Sequence, residues 1–191
     1  MRPRDELKID VFFRSTLDLV AQVGLAGLTM PLIAKRSGVA AGTIYLYFEG
    51  KEDLILMLYS DIKSRFGQSI FIDYDPKMPV EKGFRIIWEN ALRYATEFYA
   101  EQVFLQQFNN SPYRKAQETS AYAEELMRPL IELIARGQRE GTLKADKDQL
   151  ISQLFFGFLQ QIAAGLQESK MRLTKKYIDK TFRFFWDAVR T

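Results

Sequence analysis

The stretch Leu28–Leu54, LTMPLIAKRSGVAAGTIYLYFEGKEDL, decides the fold of the N-terminal region. Thr29 stands before the first apolar residues and suits a helix N-cap, and Pro31 lies in the first turn, where its missing N–H costs no hydrogen bond. Gly38 ends this short helix, and a second short helix is expected over residues 41–48. Two short helices joined by a tight turn predict a helix-turn-helix unit.

The second short helix carries the groups that indicate a nucleic-acid partner. In a helix-turn-helix unit, its N-terminal half enters the major groove of DNA. Hydroxyl groups there suit phosphate oxygens or base edges, and Leu46 suits an apolar group such as a thymine methyl. The segment from Thr29 to Lys51 holds three basic residues and one acidic residue, which gives it a local positive charge. The residues expected on the exposed face are Ala41, Thr43, Tyr45, Leu46 and Tyr47.

Other roles stay open for these residues. The two short helices could form a plain αα corner, or they could bind a partner protein as part of a helical interaction module. Lys51 could be an ordinary solvated charge, and Tyr45 could pack in the core with only its hydroxyl at the surface. Phe48 is expected in the core. The combination of hydroxyl groups, an exposed apolar tip and local positive charge favours DNA.

The composition of the whole chain argues against an enzyme. Its 191 residues include 27 basic and 24 acidic side chains, a net charge of +3, which is compatible with a nucleic-acid partner. There is no Cys and no His. A disulfide framework, a Cys/His zinc site, a thiol nucleophile and a Ser-His-Asp triad are therefore excluded. We expect no catalytic residue, no metal site and no cofactor; the competing hypothesis, an enzyme on a helical bundle, lacks a Glu-x-x-His motif.

Helical periodicity extends through the rest of the chain. An apolar stripe from Ile9 to Ala21 predicts a first helix, and a long fourth helix is expected to begin near Glu52 and Asp53, whose charges suit a helix N-terminus. No segment shows sustained period-two alternation, so we predict an all-α protein of about nine helices. The apolar run Leu154–Leu166 is too short to span a membrane, and the N-terminus does not resemble a secretory signal. We therefore expect a cytoplasmic location and no membrane partner.

The ordered residues of this stretch resemble the DNA-binding domain of TetR-family transcriptional regulators. The matching elements are Thr29, Ile33-Ala34, Gly38-Val39, Gly42-Thr43-Ile44-Tyr45, Tyr47-Phe48 and Lys51-Glu52-Asp53-Leu54. The resemblance covers roughly Ile9–Leu54, and the length and helical remainder of the chain also suit the family. It implies a three-helix DNA-binding domain over residues 1–50. A long fourth helix would join it to a helical ligand-binding and dimerisation domain over residues 51–191.

The resemblance also implies a function and roles for single residues. It implies a homodimeric regulator, usually a repressor, that binds a palindromic operator in double-stranded DNA and releases it when a small molecule binds. By position, Thr29 and Lys51 would contact phosphates. Ala40 and Ala41 stand where the family often has a capping Ser, and Leu46 where it often has a polar or aromatic residue. The predicted DNA-binding set is Thr29, Ala40, Ala41, Thr43, Tyr45, Leu46, Tyr47 and Lys51.

The middle of the chain is rich in aromatic residues, as an apolar ligand pocket between helices requires. Since no Arg cluster or metal-ligand set stands out, the predicted effector is lipophilic or aromatic. Aromatic stripes at helical spacing also form ordinary cores, and for any single residue the core is the alternative. The predicted effector-binding residues are Trp88, Tyr94, Phe98, Phe104, Phe108, Tyr122 and Phe155.

Each of the last two predicted helices carries apolar residues on more than one face. One stripe can face the chain's own core, so the second needs another partner. A two-fold four-helix interface between two copies satisfies both faces. A fully wrapped helix in a monomer is the alternative for the first of the two. The predicted dimer-interface residues are Phe156, Leu159, Ala163, Tyr177, Phe184 and Ala188.

Overall fold

The computed structural model describes residues 3–114, 121–145 and 149–191, and these residues form an all-α protein. In these ranges there are eight α-helices, one 3-10 helix and a single isolated β-bridge between Leu143 and Arg190. The predicted fold class is confirmed. The α-helices are α1 (Pro3–Val23), α2 (Met30–Arg36), α3 (Lys51–Ile70), α4 (Val80–Glu97), α5 (Tyr99–Asn109), α6 (Ala121–Arg139), α7 (Leu150–Glu168) and α8 (Lys175–Val189). The 3-10 helix spans Thr43–Leu46 and precedes α3.

The chain folds as two compact units. The first unit lies within Met1–Ile62 and Ala100–Ser120, and the second within Lys63–Tyr99 and Ala121–Thr191. This partition assigns most of α5 to the first unit, although α5 is distant in sequence from the helix-turn-helix segment. The predicted domains, 1–50 and 51–191, divide the chain differently, and their boundary stays a prediction.

The first unit has its own apolar core. Ile33 of α2, Ile44 of the 3-10 helix and Leu54 of α3 are completely buried, which ties the short elements to the longer ones. Helix α5 joins the same core, because the Phe108 ring stacks on Tyr59 of α3 with centroids 4.1 Å apart. Burial of such side chains supplies most of the stability of short helices.

The second unit is built around aromatic rings. Trp88 of α4 is completely buried and stacks on Phe185 of α8, with ring centroids 5.1 Å apart. Phe155 of α7 meets the Trp88 ring edge-on at 5.4 Å. The indole N–H of Trp88 donates to Thr181 Oγ1 over 3.3 Å, so the buried polar group has a partner. Three helices thus meet at one tryptophan.

None of the helices among the described residues has the combination of length and hydrophobicity that crossing a membrane requires. Helix α7 has the highest proportion of apolar side chains, and it interrupts them with Gln160 and Gln161.

Candidate nucleic-acid interface

The candidate surface begins at the N-terminus of α2. Thr29 has extended backbone angles, and its side chain accepts a hydrogen bond from the N–H of Leu32 over 3.3 Å, as an N-cap does. Pro31 occupies the first turn, as predicted from the sequence. Thr29 is exposed, and the free N–H groups of a helix N-terminus attract phosphate oxygens. The geometry is compatible with a phosphate contact at this residue.

The turn after α2 follows the predicted glycine. Ser37 ends the helix, and Gly38 adopts a left-handed conformation with φ of +73°. The Val39 N–H returns to the Ala34 carbonyl over 3.0 Å and closes the turn. A residue with a Cβ is strained at this φ, which accounts for the glycine.

The second helix of the helix-turn-helix is shorter than predicted. An α-helix was expected over residues 41–48, but the chain forms only the four-residue 3-10 helix Thr43–Leu46. Its N-cap is Gly42, which makes no side-chain cap hydrogen bond. The physical reason lies in the sequence: Ala40 and Ala41 offer no capping oxygen, and the β-branched and aromatic residues that follow are weak helix formers.

The 3-10 helix separates buried anchors from exposed tips. Ile44 is completely buried and Phe48 is 1% exposed, whereas Tyr45 is 52% and Leu46 80% exposed. Phe48 lies in the core, as predicted. Because these anchors fix the backbone of a short element, the side chains of Tyr45 and Leu46 are held outward. Ala40 and Ala41 are exposed beside them, and Thr43 is partly buried. We call Thr29, Ala40, Ala41, Tyr45 and Leu46 the candidate recognition surface.

Tyr47 takes a different position from the one the sequence suggested. It was expected on the exposed face, but it is partly buried, with its ring 5.5 Å from that of Phe12 in α1. The ammonium group of Lys8 lies 5.6 Å from the centroid of the same ring. Tyr47, the residue after the 3-10 helix, therefore packs against α1. The cation–π contact with Lys8 is a feature that sequence spacing alone did not reveal.

The start of α3 completes the region. Lys51 is the first residue of the helix, and its ammonium group donates to the carbonyl of Ala26 over 3.2 Å. Asp53 Oδ2 accepts a hydrogen bond from the Glu49 N–H over 3.0 Å and caps the entry to the helix. Lys51 thus joins the loop before α2 to α3. Its ammonium group is at the surface, with further hydrogens available for a phosphate.

Further positive charge lies on α2. Lys35 and Arg36 occupy its last turn and are exposed, and Arg36 forms an ion pair of 2.8 Å with Asp18 of α1. The pair is at the surface, so its contribution to stability is small. Lys35 adds a cation near the candidate recognition surface. In the described part of the chain, no group of three or more acidic side chains is arranged to hold a metal ion.

The predicted effector residues divide between the two units. Trp88, Tyr94 and Phe155 lie in the core of the second unit, whereas Phe104 and Phe108 lie in the core of the first. Phe98 is 37% exposed and packs against Tyr94 at 4.7 Å. The side chain of Tyr122 lies outside the described residues. Five of the six residues whose side chains the structure describes fill a core, and the effector-binding role of all seven stays a prediction.

Two cavities open at other places. One, of about 740 Å³, lies in the first unit and is lined by Leu25, Ala26, Gln106, Gln107, Asn110, Ser111, Pro112 and Tyr113. The other, of about 470 Å³, lies in the second unit and is lined by Lys144, Ala145, Leu150, Ile151, Gln153, Leu154, Ala188 and Val189. At the first cavity, the Gln107 amide is hydrogen-bonded to the Leu25 N–H of the same lining.

The predicted dimer residues fall into two groups. Leu159 and Ala163 of α7 are 2% and 1% exposed and pack within the second unit. The helix rotates them toward its own core, so the structure does not place them on a free face. Phe156 and Tyr177 are partly buried. Phe184 is 63% exposed, and Ala188 is exposed one turn further along α8.

The exposed side of α7 is formed by residues outside the predicted dimer-interface set. Leu150 is 59% and Leu154 40% exposed, and a Cβ added to Gly157 would have open space around it. These residues recur at the spacing of one helix face, and Leu150 and Leu154 line a cavity together with Ala188 of α8. We call Leu150, Leu154, Phe184 and Ala188 the exposed apolar face. The sequence signal for the α7 side of this face was the spacing i, i+4, i+7 of Leu150, Leu154 and Gly157.

Two side chains of α3 titrate away from their ordinary ranges. Burial lowers the pKa of Lys63, because the charged ammonium group loses hydration. Burial raises the pKa of Tyr59, and the positive charge of Arg114 opposes that effect. Neither residue belongs to the candidate recognition surface.

Two protein-family models match the chain. The model described as bacterial regulatory proteins, tetR family, matches residues 13–58, which include the candidate recognition surface. The model described as tetracyclin repressor-like, C-terminal domain, matches residues 79–190, which are more than half of the chain. Both describe regulators, and the prediction that the chain is not an enzyme is confirmed on that ground.

Individual proteins are similar as well. An uncharacterized HTH-type transcriptional regulator of Haemophilus influenzae is 34% identical over 100 residues, which are 52% of this chain and 54% of that protein. The alignment thus spans about half the length of that relative. A fatty acid metabolism regulator protein of Bacillus subtilis is 26% identical over 149 residues, 77% of each chain. A TetR family transcription regulator from Marinobacter aquaeolei VT8 has the same fold, with a TM-score of 0.89 at 23% identity over 100% of this chain and 99% of that one.

Proposed function

The chain belongs to the TetR family of bacterial regulatory proteins, and from that premise we propose that it is a sequence-specific DNA-binding transcriptional regulator. It acts as a dimeric repressor in the cytoplasm, bound to a palindromic operator and released from it by a small-molecule effector. A helical module that binds only proteins is not favoured by the family.

One observation carries the DNA-binding proposal: the exposure of Tyr45 and Leu46 between buried anchors. The apolar side chain of Leu46 is 80% exposed, and a thymine methyl group in the major groove suits it. Tyr45 presents both a ring and a hydroxyl group to base edges or phosphates. Thr29 and Lys51 lie at the starts of α2 and α3, where contacts to the DNA backbone fix the register.

Dimerisation would occur through the exposed apolar face. Its four residues lie on α7 and α8, the last two helices, and Gly157 allows close approach of a second helix. A second copy of the chain would cover this face with the same face of its own in a two-fold arrangement. The dimer would then place two recognition surfaces about one DNA turn, or a small multiple of it, apart.

The effector is proposed to be lipophilic or aromatic. The name of the Bacillus subtilis relative, a fatty acid metabolism regulator, supports a ligand of fatty-acid character. Effector binding would shift α3, which begins with Lys51 and continues into the second unit as far as Ile70. For release, the effector must bind the DNA-free conformation more tightly, and a coupling of about 1–3 kcal/mol is typical.

The test is a titration of the purified chain into labelled DNA from upstream of its own gene, with random DNA as the control, at two salt concentrations. We expect a steep salt dependence and at least about a thousandfold preference for the upstream fragment. Binding to neither DNA at either salt concentration contradicts the proposal.

Two variants separate backbone contacts from base contacts. Lys51→Ala should weaken binding to both DNAs by a similar factor, because a phosphate contact carries no sequence information. Tyr45→Ala should also reduce the preference for the upstream fragment. An equal loss on both DNAs in both variants would refute this division of roles.

A further inference from the structure

The end of α1 is capped in an unusual way. Helix α1 ends at Val23, and Gly24 adopts a left-handed conformation with φ of +72°. The Gly24 N–H returns to the Val20 carbonyl over 3.0 Å, which is the simple left-handed C-cap. In the fuller Schellman motif, the N–H of the next residue, Leu25, would bond to the same Val20 carbonyl.

Here the side-chain amide of Gln107, on α5, stands in place of that bond. Its Oε1 accepts a hydrogen bond from the Leu25 N–H over 2.6 Å, and its Nε2 donates to the Val20 carbonyl over 3.4 Å. One amide therefore bridges the two groups that a Schellman motif would join directly. The bridging residue is 82 positions from Leu25 in the chain. The cap of α1 is completed by another helix of the same unit.

The loop that Gln107 holds leads directly into the candidate recognition surface. Leu25 and Leu28 are 4% and 2% exposed, and Thr29, which follows, caps α2. Lys51 donates to the Ala26 carbonyl in the same loop. The loop is thus held at successive residues by α5 on one side and by the start of α3 on the other.

Helix α5 is itself fixed in the first unit. Phe104 and Phe108, one on each side of Gln107, are 0% and 1% exposed, and Phe108 stacks on Tyr59 of α3. Their burial holds the amide of Gln107 at a defined place. Gln106, the neighbouring residue, is exposed.

We propose that Gln107 is a positioning residue for DNA recognition, which sets the direction of α2 by completing the cap of α1. The inference rests on the proposed function, because it concerns how the recognition surface is oriented. Without the amide, the Leu25 N–H loses its acceptor, and the loop before α2 is free to reorient. Binding to the operator, which needs one orientation, then suffers more than binding to random DNA.

The test compares Gln107→Met with Gln106→Met, which makes the same change at the adjacent exposed position. Two quantities are measured: the hydrogen-exchange rate of the Leu25 amide, and the ratio of affinities for upstream and random DNA. We expect Gln107→Met to speed exchange at Leu25 and to lower the affinity ratio, each by about tenfold, as losing the partner of a partly buried donor predicts. Gln106→Met should leave both unchanged.

A third variant gives a measurement that general destabilisation of the fold would not change. In Gln107→Glu, the ionised carboxylate still accepts from Leu25 but cannot donate to Val20, whereas the protonated form can do both. Its affinity ratio should therefore fall as pH rises through the pKa of the new carboxyl group. Gln106→Glu places the same charge next to it and should show no such change. The 24 acidic side chains of the chain titrate in the same range in both variants, so the difference between Gln107→Glu and Gln106→Glu isolates the effect at position 107.

The outcomes distinguish this inference from the proposed function. Equal Leu25 exchange and equal affinity ratios in Gln107→Met and Gln106→Met would overturn the inference while the regulator proposal stands. A wild-type chain without preference for the upstream fragment would contradict the proposed function and, with it, this role of Gln107. If Gln107→Met does not fold, a pH-independent ratio in Gln107→Glu overturns the inference on its own.

Discussion

In the first unit Tyr45 leaves 52% of its surface exposed, whereas in the second unit Trp88 leaves none. Both are large aromatic residues on helical elements, and both were candidates for function. Tyr45 is held outward by buried neighbours on a four-residue helix, while Trp88 is enclosed by three helices. An aromatic residue therefore indicates a binding role only where the local backbone keeps its side chain exposed.

The largest expected effect is on the enclosed residue. Trp88→Ala should lower the free energy of unfolding by about 3–5 kcal/mol, because it leaves a cavity beside Phe155 and Phe185 and removes the partner of Thr181. In a chain of this length that corresponds to a fall in Tm of about 10 °C. Thermal unfolding followed by circular dichroism measures it.

Tyr45→Ala is the matched change on the exposed side, and it should alter the free energy of unfolding by less than about 0.5 kcal/mol. The contrast between the two aromatic residues fails if Tyr45→Ala destabilises the chain as much as Trp88→Ala does. It also fails if Trp88→Ala leaves Tm unchanged.

The second prediction asks whether an exposed aromatic of the second unit also has a partner. Phe184→Glu should weaken dimerisation by about a hundredfold or more, since it places a charge on the exposed apolar face. Sedimentation equilibrium over a range of concentrations measures the dissociation constant. Phe98→Glu, at a residue that is 37% exposed on the same unit, serves as the control and should leave the constant unchanged. A dimer of equal strength in both variants would place the interface elsewhere.

These contrasts also show what the sequence could predict. The all-helical class, the first turn of α2, the glycine turn at Gly38 and the buried Phe48 all follow from local spacing and backbone conformation. Tyr45 and Tyr47 could not be told apart in this way. They are two residues apart, but Tyr45 lies in the 3-10 helix and Tyr47 follows its end, where Phe12 and Lys8 of α1 contact the second ring.

The same limit applies to longer-range contacts. In the sequence, Gln107 cannot be distinguished from other polar helix residues. Its partners, Val20 and Leu25, lie more than 80 positions away. Leu159 and Leu154 are both apolar residues of α7, yet one is 2% and the other 40% exposed. Helical periodicity identifies two faces, but the rotation of the helix against its neighbours decides which one is buried.

The third prediction concerns the hydrogen bond at the start of α2. Thr29→Ala should lower the free energy of unfolding by about 1 kcal/mol, because the Leu32 N–H loses its side-chain acceptor. Thr29→Ser keeps the oxygen and should retain most of the stability. Chemical denaturation measures these differences in the free energy of unfolding. The slope of that free energy against denaturant concentration should be the same for the wild type and both variants. If Thr29→Ala lowers DNA affinity without changing stability, the residue acts on DNA and not as a cap.

The last prediction compares two lysines of the same helix, one in each unit. Lys51, at the start of α3, is engaged at the surface, whereas burial lowers the pKa of Lys63. The folded state therefore disfavours the charged form of Lys63, and Lys63→Met should raise the free energy of unfolding at pH 7 by about 1 kcal/mol, a rise in Tm of about 3 °C.

The pH dependence of that gain has a definite sign. Below the lowered pKa, Lys63 is charged in both states and the folded state bears the full cost of its lost hydration. As pH rises past that value toward 10.5, the pKa of an unperturbed lysine, the folded protein releases its proton while the unfolded chain keeps it, so the wild type gains stability. The advantage of Lys63→Met should therefore shrink between neutral and alkaline pH. Lys51→Met, at the lysine that donates to the Ala26 carbonyl at the surface, is the comparison variant. An advantage of Lys63→Met that grows with pH would mean that the folded state favours the ammonium group of Lys63, which would contradict this prediction.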